Sequence, residues 1–133
     1  MPKLIKKLLE PKTLLVICLC YFVLITIAFL SPVKSSLNIN FVVPIDKTIH
    51  CLIYLVLMFI WNNYFYFSNN EVVVKKIVVI VLVLSLVYGI IIEIIQEQFV
   101  QNRGADVFDI LANMIGAILG IFIFLTFKNR IKS

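Results

Sequence analysis

The sequence predicts an all-α protein, a bundle of four transmembrane helices with both termini in the cytoplasm. Three observations predict it. Hydrophobic residues make up 62% of the 133 residues and charged ones 14%, whereas a soluble domain has about 45–50% and about 25%. A chain of this length has too little interior to hide so much apolar surface, so most of it must face lipid. The apolar residues also fall into four long stretches, with basic residues gathered at their ends. A mean hydropathy of +1.09 excludes both a water-soluble enzyme and a disordered chain.

The first stretch runs from Thr13 to Leu30 without a charge, 18 residues or about 27 Å of helix. Lys3, Lys6, Lys7 and Lys12 precede it as a secretory signal's basic region would. Its apolar part exceeds a usual signal core, however, and no A-x-A-like cleavage site follows, so a retained helix is expected. The second span covers about 47–67 and carries its polar residues at the start. The third covers about 72–96 and the fourth about 107–127, and the four spans make one membrane domain over residues 1–133. Ser31, Pro32 and Pro44 bracket the first loop, Ser68-Asn69-Asn70 marks the second, and Asn102-Arg103-Gly104 lies in the third.

Orientation follows from the cations. Nine of the twelve Lys and Arg residues lie at the two termini and in the second loop, and three (Lys34, Lys47, Arg103) lie on the other side. The positive-inside rule therefore puts both termini and the second loop in the cytoplasm and the first and third loops outside. The net charge of +5 is explained by this topology, so no nucleic acid is expected as a partner. Cys18, Cys20 and Cys51 offer no disulfide framework and are expected to act as small packing residues.

Polar and ionisable groups in or beside a span are costly and need partners or a function. Here they form three stripes. Asp46, His50 and Tyr54 stand at i, i+4 and i+8 on the second span, with Lys47 near the same face. Ser85, Gly89, Glu93 and Gln96 make a stripe on the third. Asp106, Asp109, Asn113, Gly116 and Gly120 make one on the fourth, within roughly 80° of arc at about 100° per residue. Arg103 precedes Asp106 by one helical turn. All three stripes converge on the outer leaflet and its headgroup region, and the cytoplasmic halves have little comparable. No polar pathway therefore crosses the membrane, which weighs against a transporter or channel.

The bland alternative is that Glu93 pairs with Arg103 or Lys47, and Asp109 with His50, as contacts between helices worth about 0.6 kcal/mol each. So costly and one-sided a cluster is a poor way to hold helices together, which favours function. Gly116-x3-Gly120, with Ala117, reads instead as a close helix approach, and Gly89 likewise as a packing position. His50 is the only histidine, no spacing is specific for a metal, and neither metal nor cofactor is expected. No Ser or Cys is placed for nucleophilic attack, because Ser85 lies about two turns below Glu93. The second, third and fourth spans are expected to surround the cluster. The first span, lacking polar groups, is expected to pack outside it.

These stripes resemble the VanZ-like family of small bacterial membrane proteins. The resemblance rests on Pro44-Ile45-Asp46-Lys47-Thr48-Ile49-His50 with Tyr54, on Tyr88-Gly89 through Glu93 to Gln96, and on Arg103-Gly104-Ala105-Asp106-Val107-Phe108-Asp109 with Asn113 and Gly116. It covers about residues 14–127. Gln101-Asn102 stand where the family often has Pro-Gly, which alters the turn and not the charged groups. The resemblance implies a role at the envelope of a bacterium, Gram-positive by expectation, and an association with low-level resistance to the lipoglycopeptide teicoplanin.

Two functions fit the residues. In the first, the site binds a membrane lipid or lipid-linked cell-wall precursor. Lys47 and Arg103 contact an anionic group, and Asp46, Tyr54, Gln96, Asp106, Asp109 and Asn113 complete the site. In the second, the chain is a membrane-embedded enzyme acting on such a lipid, with His50 and Glu93 as a candidate acid–base pair and Arg103 as the clamp.

Overall fold

The computed structural model describes residues 3–31, 45–69, 71–100 and 105–132. They form five helices and no strand: α1 (Lys3–Leu8), α2 (Pro11–Leu30), α3 (Ile45–Ser68), α4 (Glu71–Phe99) and α5 (Val107–Lys132). Four of them, α2 to α5, are long and apolar enough to cross a membrane. The protein is a multi-pass membrane protein.

Helix ends depart from the apolar runs where backbone chemistry sets them. α2 starts two residues before the apolar stretch, at Pro11, whose missing N–H falls where a helix leaves that group unbonded anyway. Glu10 precedes it in extended backbone, φ −61° and ψ 134°, and its carbonyl accepts from the Leu14 N–H at 2.9 Å. α4 continues past Gln96 to Phe99 although Glu97 and Gln98 are polar, since the hydrogen-bond ladder and not apolarity carries it on. The basic stretch at 3–8 is itself helical, a short turn that hydropathy gave no reason to expect.

Side-chain pairings set the arrangement. His50 on α3 meets Asn113 on α5, and further along Tyr66 meets Phe124, so these two helices run parallel. Gln96 near the end of α4 meets Phe29 near the end of α2, and Glu93 meets Asp106 just before α5. One end of the bundle therefore gathers the ends of α2 and α4 and the beginnings of α3 and α5. The N-terminal end of α2 and the C-terminal end of α5 lie at the opposite end.

α3 and α5 form the tightest pair, and glycine allows it. A Cβ on Gly116 would overlap the Cys51 carbonyl, and one on Gly120 the Leu55 carbonyl. Ala117 between them is fully buried. Lipid gives helices no hydrophobic reason to associate, so close backbone packing of this kind does the work. Tyr54, Leu57, Met58, Ile25, Phe29, Ile92 and Ala117 fill the middle, and Tyr66, Val74 and Phe124 the far end.

Polarity is inverted relative to a soluble protein. Val79, Val83, Leu84 and Val87 on α4 and Ile115, Ile118, Leu119 and Phe122 on α5 are exposed, whereas His50, Asn62, Asn63, Ser85, Glu93, Gln96, Asp109 and Asn113 are buried. In lipid that is the favourable choice. The cysteines divide: Cys18 is buried, Cys51 half-buried, and Cys20 exposed on the apolar surface and not packed.

Candidate functional site

The stripes predicted on α3, α4 and α5 do meet, at the end of the bundle described above. Each starts from a helix terminus. Asp106 caps α5: its Oδ1 accepts from the Phe108 N–H at 2.8 Å, and its own carbonyl from the Asp109 N–H at 3.0 Å, satisfying donors that a helix start leaves unbonded. Glu93 Oε2 on α4 accepts from the Asp106 N–H at 3.2 Å, which ties the end of α4 to that cap.

Lys47 bridges α3 to α5. Its ammonium donates to Asp106 Oδ2 and, at 2.9 Å, to Asp109 Oδ1. It also lies 5.7 Å from the centre of the Phe108 ring, within cation–π range. Lys47 is therefore held by two carboxylates. Among the described site residues Asp46, Glu93, Asp106 and Asp109 outnumber this one cation. Arg103, the second predicted cation, lies outside the described residues.

His50 is 1% exposed. Its Nδ1 lies 3.1 Å from Asn113 Oδ1; with that carbonyl as acceptor, Nδ1 carries the proton and Nε2 presents its lone pair. Nε2 lies 4.0 Å from Asp46 Oδ1, one turn earlier on α3, and 4.0 Å from Asp109 Oδ2 on α5. The carboxylates facing this ring are thus Asp46 and Asp109. Glu93, the acid–base partner expected from the sequence, contributes its Oε2 to the Asp106 amide.

Below this layer Tyr54 is fully buried, and its hydroxyl has no hydrogen-bond partner among the described residues. Gly89 makes room for it, because a Cβ there would stand 2.7 Å from the Tyr54 Oη and 3.1 Å from Asn113 Nδ2. Ser85 donates to the Leu82 carbonyl of its own helix at 2.8 Å and belongs to the packing beneath the site.

α2 is not a bystander, which corrects the expectation that the first span packs outside the cluster. The Phe29 ring lies 4.8 Å from the His50 ring, centre to centre, and its carbonyl accepts from Gln96 Nε2 at 2.6 Å. Thr26 and Tyr88 share a hydrogen bond of 2.8 Å, and Tyr21 donates to the Ile53 carbonyl at 2.9 Å. A backbone carbonyl and an aromatic lid leave no trace in a polarity pattern. The buried positions of α2, Leu14, Cys18, Ile25 and Phe29, do keep a helical period, but in so uniformly apolar a helix nothing distinguishes them.

Asp106 lies just outside the membrane-spanning segments, and its carboxyl is held below its ordinary value of 3.8, first by the Lys47 hydrogen bond and then by the Phe108 amide. A lowered carboxyl stabilises the folded state above its unfolded-state pKa and loses that contribution as pH falls through the folded-state value. The stability difference between wild type and Asp106→Asn should therefore be constant from neutral pH down to the ordinary carboxylate range and close only below it. Thermal unfolding of the detergent-solubilised proteins across that range measures this.

The VanZ/LLP1 family model matches residues 10–128. Comparison with curated proteins and with solved structures gives no match. The matched stretch contains the four spans and every site residue named above, and on that match the chain belongs to the VanZ/LLP1 family.

Proposed function

We propose that this chain binds the polar head of a lipid or lipid-linked envelope precursor at the outer face of the membrane, and that its presence lowers susceptibility to lipoglycopeptides such as teicoplanin. Both termini then lie in the cytoplasm, as the excess of Lys and Arg on that side requires. The observation that carries the reading is the shape of the polar cluster. Asp46 is exposed, and Lys47 and Asp106 are partly exposed, over a floor of His50, Asp109 and Asn113 that is buried. An open polar rim over buried, hydrogen-bonded groups is how a site fixes a polar ligand. At the membrane edge the ligand that meets such a rim is a lipid headgroup.

The test is teicoplanin susceptibility of a sensitive Gram-positive host carrying wild type, Lys47→Ala, Arg103→Ala, Glu93→Gln or empty vector, at matched membrane expression. Wild type is expected to raise tolerance, and Lys47→Ala and Arg103→Ala to lose most of it. Wild type behaving like empty vector refutes the resistance role. A second reading, an enzyme acting on the same class of lipid, is favoured by the His50 ring held by Asn113 between two carboxylates, as a general base is held. In that case His50→Gln, which keeps a polar side chain and loses proton exchange, abolishes the effect as fully as loss of Lys47, and Glu93→Gln does so only if Glu93 also exchanges a proton.

A further inference from the structure

We propose that His50, Asp46 and Asp109 form a binding site for a divalent transition-metal cation of the zinc class. One ligand atom from each of these residues lies within 4.8 Å of the others. His50 Nε2 is 4.0 Å from both Asp46 Oδ1 and Asp109 Oδ2. Metal–ligand bonds of about 2.0–2.2 Å place neighbouring ligand atoms a little over 3 Å apart, so a slight contraction of side chains, without helix movement, closes the set. One imidazole nitrogen and two carboxylates suit zinc or manganese.

A cluster of carboxylates alone would not indicate a metal, and the histidine supplies the second observation. The His50 side chain is 2% exposed. Its Nδ1 is engaged by Asn113, which aims the Nε2 lone pair between the two carboxylates at a distance too long for a hydrogen bond. Three potential ligand atoms thus converge on one point between the two carboxylates, a place that a proton on Nε2 or a metal cation can occupy. The surroundings also match what metal ligands require. Asn113 orients the imidazole through its far nitrogen, and Lys47 holds the other oxygen of Asp109, the outer contacts that fix tautomer and ligand direction in metal sites.

Asp46 is the exposed member, with a side chain 51% exposed, so the open coordination positions face the membrane surface and not the core. There the cation would offset much of the negative charge of the surrounding carboxylates and offer an anionic group a positive centre to bind. The sequence puts Asp46 and His50 one helical turn apart and offers Asp109, 59 positions beyond His50 on another helix, as a partner for it, but no spacing in it is specific for a metal. Cation binding does not depend on the lipid-binding reading and is measured without lipid.

The experiment uses the full chain without a polyhistidine tag, purified in detergent, stripped with a chelator and titrated calorimetrically with Zn2+, Mn2+ and Mg2+ separately. Wild type is expected to take up one Zn2+ per chain, with Mn2+ weaker and Mg2+ weakest. His50→Ala and Asp109→Asn should remove the binding, and Asn113→Ala should weaken it about 10–100-fold, as loss of an outer partner does. Asp46→Asn changes an exposed residue in the first turn of α3 and keeps the fold, so it decides the matter if the buried variants do not fold. Reduced uptake in Asp46→Asn with Glu97→Gln unchanged supports the site. No Zn2+ uptake by wild type, or equal uptake by wild type and Asp46→Asn, overturns it.

Discussion

Gly116→Ile is expected to prevent the bundle from forming, and Gly116→Ala to destabilise it by about 1–3 kcal/mol or more, the range for overpacked cores. The added Cβ would meet the Cys51 backbone carbonyl of α3, and a helix backbone cannot move aside as a side chain can. Because α3 and α5 carry His50, Lys47, Asp109 and Asn113 between them, separating the two dismantles the site as well. Gly89→Ala makes the informative contrast. Its Cβ would meet the Tyr54 hydroxyl and the Asn113 amide, the far ends of side chains that can shift. That variant should fold nearly as well as wild type and lose function through displaced site groups. Gel filtration and thermal unfolding in detergent separate the two outcomes, and equal stability of Gly116→Ala and wild type would contradict the packing described.

Asp109→Ala is expected to reduce function to the level of empty vector, while Glu97→Ala retains it. Asp109 is buried and is engaged on one oxygen by Lys47 and faced on the other by His50. Glu97 is exposed. Removing one partner of a buried charge pair costs about 3–5 kcal/mol; here Lys47 keeps Asp106 and is partly exposed, so the loss falls at the low end or beneath it. Asp109→Asn keeps the shape and removes the charge, and it should behave like the alanine variant if charge is what matters. The checks are tolerance assays at matched membrane expression together with unfolding curves. Equal losses at positions 109 and 97 would count against the site.

Much of this arrangement is legible in the sequence because lipid makes it so. Apolar runs long enough to cross a bilayer leave few choices of fold, and the predicted spans differ from the helices by a few residues, where capping and the backbone ladder set the ends. The polar stripes were legible for the same reason, since Asp109, Asn113 and Glu93 stand out in apolar surroundings. Partners were harder to read. One sequence does not give the register between helices, so the Asp109–His50 pairing could be read only as one option, and nothing showed that Lys47 is taken by two aspartates. The share of α2 was hidden altogether. Phe29 acts through its ring and its carbonyl, and neither differs in polarity from its neighbours.

The carboxylates that hold Lys47 change how an anionic headgroup would be received. Lys47 and Arg103 were expected to meet it, yet Lys47 is already engaged by Asp106 and Asp109. On the proposed lipid-binding reading, exchange of one of these aspartates for ligand oxygens, or a cation on the His50 face, would let the site accept an anionic group. Asp106 is the more exposed of the two and is the one placed to give way.

The most direct test of lipid binding at this site is mass spectrometry of the lipids that copurify with wild type, Asp109→Ala and Glu97→Ala, each taken in mild detergent at equal protein amount. Wild type and Glu97→Ala should retain one enriched anionic lipid or lipid-linked species, and Asp109→Ala should lose it while keeping its bulk lipids. The same lipid profile in all three would contradict a ligand site at the meeting point of α3, α4 and α5.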